Sequence, residues 1–64
     1  MKNRIKELRE KEGLTQKQLA KKAGLSNQSI SFYEANRRKP KIETWKRLAD
    51  FFGVSVSYLQ GYAE

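Results

Sequence analysis

The stretch Gln16-Lys17-Gln18-Leu19-Ala20-Lys21-Lys22-Ala23-Gly24-Leu25-Ser26-Asn27-Gln28-Ser29-Ile30-Ser31-Phe32-Tyr33-Glu34-Ala35 decides the fold. Its apolar residues recur at helical spacing, Leu19 with Ala23 and Ile30 with Tyr33. Gly24 interrupts the run and Ser26 follows as a helix cap, so two short helices meet at a tight turn. Ala20 is small where the helices cross closely, and Gly24 turns the chain with a positive φ. Leu19, Leu25, Ile30 and Tyr33 hold the crossing angle by packing, which fixes one helix rigidly and presents it outward.

Upstream, the spacing of Thr15 to Gln18 is that of a capping box and starts the first of these helices. An earlier helix runs from about Lys2 to Lys11 on Ile5 and Leu8, and closes at Gly13 in the left-handed conformation. Downstream, the second helix continues to about Glu34 and gives way to the basic loop Asn36-Arg37-Arg38-Lys39-Pro40. A further helix spans about Ile42 to Phe52, with Ile42, Trp45, Leu48, Ala49 and Phe52 as its core stripe. Val54-Ser55-Val56-Ser57 alternates like a strand, but Ser55 after Gly53 is better explained as the cap of a last short helix that stops near Gly61. The expected architecture is all-α, a compact five-helix bundle with one core and one domain over residues 1–64.

A chain of 64 residues buries only about 60% of the surface that its unfolded form exposes, which leaves little room for a cofactor. Fourteen Lys plus Arg stand against seven Asp plus Glu, a net charge of +7 that favours a polyanion as partner. Between Gly13 and Ile42 the basic residues are Lys17, Lys21, Lys22, Arg37, Arg38, Lys39 and Lys41, and Glu34 is the only acid. Without Cys or His the chain lacks a disulfide, a thiolate, the commonest general base and the commonest metal ligand. Glu10 and Glu12 are the nearest thing to a catalytic carboxylate pair, yet residues two apart on a helix face different ways. No enzyme activity, metal, cofactor or small-molecule ligand is expected. Met1 to Glu12 has no apolar run and no stretch could span a bilayer, so a cytoplasmic chain without a membrane partner is expected.

The segments Arg4-Ile5-Lys6-Glu7-Leu8-Arg9, Leu14-Thr15-Gln16, Gln18-Leu19-Ala20 and Gly53-Val54-Ser55 resemble the helix-turn-helix domains of lambdoid phage repressors and Cro proteins. The resemblance runs from Arg4 to about Gly61 and implies a lambda-repressor-like bundle, its helix-turn-helix formed by the second and third helices. It further implies a transcriptional repressor that reads a palindromic operator in double-stranded DNA, the helix from Ser26 to Glu34 entering the major groove. With Ile30 and Tyr33 facing the core, helical geometry turns Asn27, Gln28, Ser31 and Phe32 outward, and these become the implied base contacts. Asn and Gln can each pair through two bonds with an adenine edge. Phe32 departs from the polar residue common at this position; either a thymine methyl covers it or it folds sideways onto its neighbours.

Backbone contacts are implied for Gln16, Lys17, Ser26, Asn36, Arg37, Arg38 and Lys39. In related proteins a glutamine such as Gln16 bonds a phosphate and braces the recognition helix, while the loop after that helix clamps the backbone. An arginine of this loop can also reach the minor groove. Arg9 and Glu34 match an ion pair that ties the first helix to the end of the third in the family, a structural role. Val56, Ser57 and Tyr58, with Phe51 nearby, map onto a two-fold dimer surface; the alternative for Val56 and Tyr58 is packing in the core. The patch is small, which implies a homodimer that is weak without DNA. A domain of this fold acting through a protein partner, as in an antitoxin-like or immunity regulator, calls instead for an acidic or apolar recognition face. RNA binding calls for more exposed aromatics than Phe32 alone.

Overall fold

The computed structural model describes residues 3–62. It contains α1 (Ile5–Lys11), α2 (Gln16–Ala23), α3 (Asn27–Glu34), α4 (Ile42–Phe52) and α5 (Val56–Gln60), with no strand among the described residues.

Local chemistry sets the helix boundaries. Thr15 Oγ1 accepts the Gln18 N–H at 3.1 Å while Gln18 Oε1 accepts the Thr15 N–H at 2.9 Å, a closed capping box. The hydroxyls of Ser26 and Ser55 accept the N–H groups of Ser29 and Tyr58, each at 3.0 Å. All five helices end alike, on a left-handed residue: Gly13, Gly24, Asn36, Gly53 and Gly61. The next amide then reaches back to the last helical turn, as Leu25 N–H does to Ala20 O at 2.8 Å and Arg37 N–H to Phe32 O at 2.9 Å. Asn36, at φ 58°, is the one residue of the set with a side chain, and asparagine is among the few that enter this region readily.

The expected start of the first helix at Lys2 lies outside the described residues, and the helix begins at Ile5. Asn3 and Arg4 instead tie the chain's beginning to α3 and α5. Asn3 Oδ1 accepts the Ile5 N–H at 3.1 Å, Asn3 Nδ2 donates to Tyr33 O at 2.9 Å, and Arg4 N–H donates to Leu59 O at 2.8 Å.

Each helix contributes one fully enclosed apolar side chain, Ile5, Leu19, Ile30, Leu48 and Leu59, and Leu8, Ala20, Ala23, Tyr33, Trp45 and Ala49 complete the core. Leu48→Ala, or truncation of any other of the five to alanine, is expected to remove about 2–5 kcal/mol. Ile42 departs from its expected place on the core stripe: it is 56% exposed. It stands in the first turn of α4, beyond the core's edge, and the buried residue at that end is Pro40.

The α2–α3 turn depends on Gly24. Its φ is +72°, and a Cβ there would lie 3.3 Å from Arg47 Nη1, which reaches across from α4 toward the carbonyls that end α2. Gly24→Ala should therefore cost about 1–2 kcal/mol in backbone strain and lower the thermal midpoint by roughly 5–15 °C. Circular dichroism without DNA checks this; an unchanged midpoint would show that the left-handed turn is not strained by a side chain.

Candidate nucleic-acid interface

One partly buried hub links α3 to α1 and α2. Glu34, at the end of α3, receives Arg9 Nε from α1 at 2.7 Å, Arg9 Nη2 at 3.2 Å and Gln16 Nε2 from α2 at 3.0 Å. Arg9 Nη1 also donates to Leu14 O in the α1–α2 loop at 2.8 Å. Three helices thus meet at one carboxylate, and Arg9 joins the loop to them, with the Arg9 and Glu34 side chains 12% and 5% exposed. Hydrogen bonding to Glu34, reinforced by its negative charge and that of Glu10, raises the Arg9 guanidinium's pKa above its usual value despite the opposing effect of burial. A raised folded-state value contributes stability at every pH below the unfolded one, so the arginine's share of the pair is lost only in strong alkali. The structure brings together Arg9, Glu34 and Gln16, the three residues singled out in the sequence for an ion pair and a brace.

With Ile30 and Tyr33 in the core, α3 turns Asn27 and Gln28 fully to the surface, and Ser31 sits half-buried on the same side. Ser26 is exposed, but its hydroxyl is occupied in capping, accepting from Ser29 N–H and donating to Ser29 Oγ at 2.8 Å. Phe32 is half-buried, and the Arg38 guanidinium lies 5.3 Å from its ring centroid.

Lys17, Lys21, Lys22, Arg37, Arg38, Lys39 and Lys41 are all exposed. Among the described residues none of them meets a carboxylate at ion-pair distance. Glu7, Glu10 and Glu12 lie instead on α1 and its end. Asn36 is exposed and its Oδ1 accepts from Asn3 Nδ2 at 3.2 Å, which ties the loop after α3 to the beginning of the chain. The sequence signal for Asn3 is its place as a helix-start asparagine two residues before Ile5.

The surface expected to serve in dimerisation is partly spent within the fold. Val56 and Tyr58 are half-buried against the core, Arg4 Nη1 donates to Tyr58 O at 2.6 Å, and the Arg4 guanidinium stands 4.2 Å from the Tyr58 ring centroid. Ser57 and Phe51 remain exposed.

Two helices crossing at a tight left-handed turn, the second tied to α1 by a partly buried ion pair, define a helix-turn-helix domain of the lambda-repressor-like type. Residues 5–59 match the sequence model of the helix-turn-helix family, and the chain belongs to that family. It is 41% identical over 61 residues to the HTH-type transcriptional regulator ImmR of Bacillus subtilis, covering 95% of this chain and 48% of that protein. It is 40% identical over 58 residues to the immunity repressor protein of Bacillus phage phi105, covering 91% of this chain and 40% of that protein. Its fold is similar to the crystal structure of a transcriptional regulator from Listeria innocua, with a TM-score of 0.82 at 30% identity, covering 94% of this chain and 56% of that one. The chain therefore spans about half the length of these relatives, which are transcriptional regulators or repressors. No helix among the described residues is long and apolar enough to cross a membrane.

Proposed function

We propose that this domain is a cytoplasmic transcriptional repressor module that binds a palindromic operator in double-stranded DNA, with α3 in the major groove and α2 across the backbone. One observation carries this: the only acid between Gly13 and Ile42, Glu34, is consumed by Arg9 and Gln16, which leaves an uncharged polar face on α3 in a segment with seven exposed cations. A polyanion is attracted there, and no exposed carboxylate of α2 or α3 repels it. Gln28 and Asn27 are suited to pair bidentately with adenine edges, and Ser31 adds a single hydrogen bond. Lys17, Asn36, Arg37, Arg38 and Lys39 hold phosphates, assisted by the first-turn amides near Ser26 and by the second amide hydrogen of Gln16. The face is neither acidic nor apolar, which disfavours a protein partner as its main ligand.

Selection of bound duplexes from a random pool at two salt concentrations tests this. A palindromic consensus is expected, recovered more sharply at the higher salt as non-specific binding fades. Failure to enrich any sequence would mean that α3 serves a protein partner.

Two copies are proposed to pair through Val56, Ser57 and Tyr58, with Phe51 alongside, placing the two α3 helices about 34–36 Å apart on successive half-sites. Because Val56 and Tyr58 are already half-buried in their own fold, little area remains for pairing. Sedimentation is expected to show monomer for the free protein and two copies per operator duplex. A tight dimer without DNA would contradict this assignment.

A further inference from the structure

We infer that Phe32 is a positioning residue for Arg38, the two forming one unit that holds a guanidinium ready for the DNA backbone, an inference that rests on the DNA-binding proposal above. Phe32 lies on the outward side of α3 and is half-buried, yet it is not among the apolar side chains packed against the core. The loop after α3 brings a side chain over its ring. Asn36 in the left-handed region and the Arg37 N–H bond to Phe32 O fold the chain back over the last turn of α3. That return sets the Arg38 guanidinium 5.3 Å from the ring centroid, within cation–π range.

The geometry leaves the arginine's hydrogen bonding intact. The contact is electrostatic, between the ring's π face and the guanidinium charge, and supplies no hydrogen-bond acceptor to its five N–H donors. Arg38 is exposed, and among the described residues it makes no ion pair and no side-chain hydrogen bond. The contact also restricts a long side chain before the ligand arrives, which lowers the ordering cost of binding. With its face turned to Arg38, Phe32 supports a backbone contact in place of reading a thymine methyl, so its contribution does not depend on sequence.

Wild type, Phe32→Ala, Arg38→Ala and the double variant should be titrated over a salt series. Two probes are used: a duplex selected from the random pool and a mixed-sequence duplex of the same length. Phe32→Ala is expected to weaken binding to both duplexes by about two- to fivefold and to flatten the salt dependence toward that of Arg38→Ala. Added to Arg38→Ala, it should change nothing further. Phe32→Tyr, which keeps the ring, should bind like wild type, whereas Phe32→Leu, which keeps apolar bulk without a π face, should behave like Phe32→Ala. Additive losses, wild-type binding by Phe32→Leu, or a loss confined to the selected duplex and reproduced by uracil in place of one thymine would overturn the pairing while leaving DNA recognition standing. Wild-type protein that binds neither duplex would overturn both.

Discussion

Glu34→Ala is expected to leave the domain largely unfolded at room temperature. The substitution strands the Arg9 guanidinium, whose side chain is 12% exposed, with Leu14 O as its remaining partner in the hub, and removes the acceptor of Gln16. Breaking a buried pair by deleting one member costs about 3–5 kcal/mol, because an uncompensated charge stays behind. A core of this size rarely supplies more than about 3–5 kcal/mol in total, so the loss matches the whole margin. Replacing both members discriminates charge stranding from simple loss of contacts: Arg9→Met with Glu34→Leu should recover most of the stability lost in Glu34→Ala, since well-packed apolar groups can replace a buried pair at little cost. Chemical denaturation of the three proteins checks this. A Glu34→Ala midpoint close to wild type would show that the hub does not hold α3 in place.

Neutralising the loop in Arg37→Gln, Arg38→Gln and Lys39→Gln together is expected to produce the largest functional change. The three side chains are exposed and outside the core, so the fold is retained. Each phosphate contact contributes about 0.9 to the slope of log affinity against log salt concentration, and losing three should reduce its magnitude by about 3. Affinity should fall together for every duplex while the preferred sequence stays the same, because phosphate contacts position the protein and do not read bases. An altered consensus would assign part of this loop to groove contacts.

The features legible in the sequence are those set by neighbours a few residues apart. The Thr15–Gln18 capping box, the caps at Ser26 and Ser55 and the bounds of α4 depend on short-range hydrogen bonds and apolar periodicity, and the structure places them where the residues point. The Arg9–Glu34 pair, 25 residues apart, was within reach only through family resemblance. What stayed hidden is long-range and polar. Arg4 meets Tyr58 across 54 positions, Asn3 meets Tyr33 across 30, and Arg47 approaches the end of α2 from α4. No periodicity encodes such contacts, because each depends on how the helices are stacked. Ile42 illustrates the complementary error: helical spacing gives a side chain's direction around the axis but not whether the core extends as far as that turn.

The candidate site divides in the same way. The outward positions of Asn27 and Gln28 follow from burial of Ile30 and Tyr33, a purely helical argument. The setting of Phe32 under Arg38 depends on Asn36 adopting the left-handed conformation, the same ending that glycine gives the other four helices. An asparagine placed just past a helix end is a usable signal for that turn, but the contact between Phe32 and Arg38 is visible only in three dimensions.

The affinities of wild type and Gln28→Ala for the selected palindrome, and for versions of it altered one base pair at a time, are the most direct measure of base reading by α3. Major-groove recognition predicts that Gln28→Ala loses discrimination of about 1–3 kcal/mol at a single base pair in each half-site and keeps it elsewhere. Equal losses at every position, or no loss at any, would contradict it.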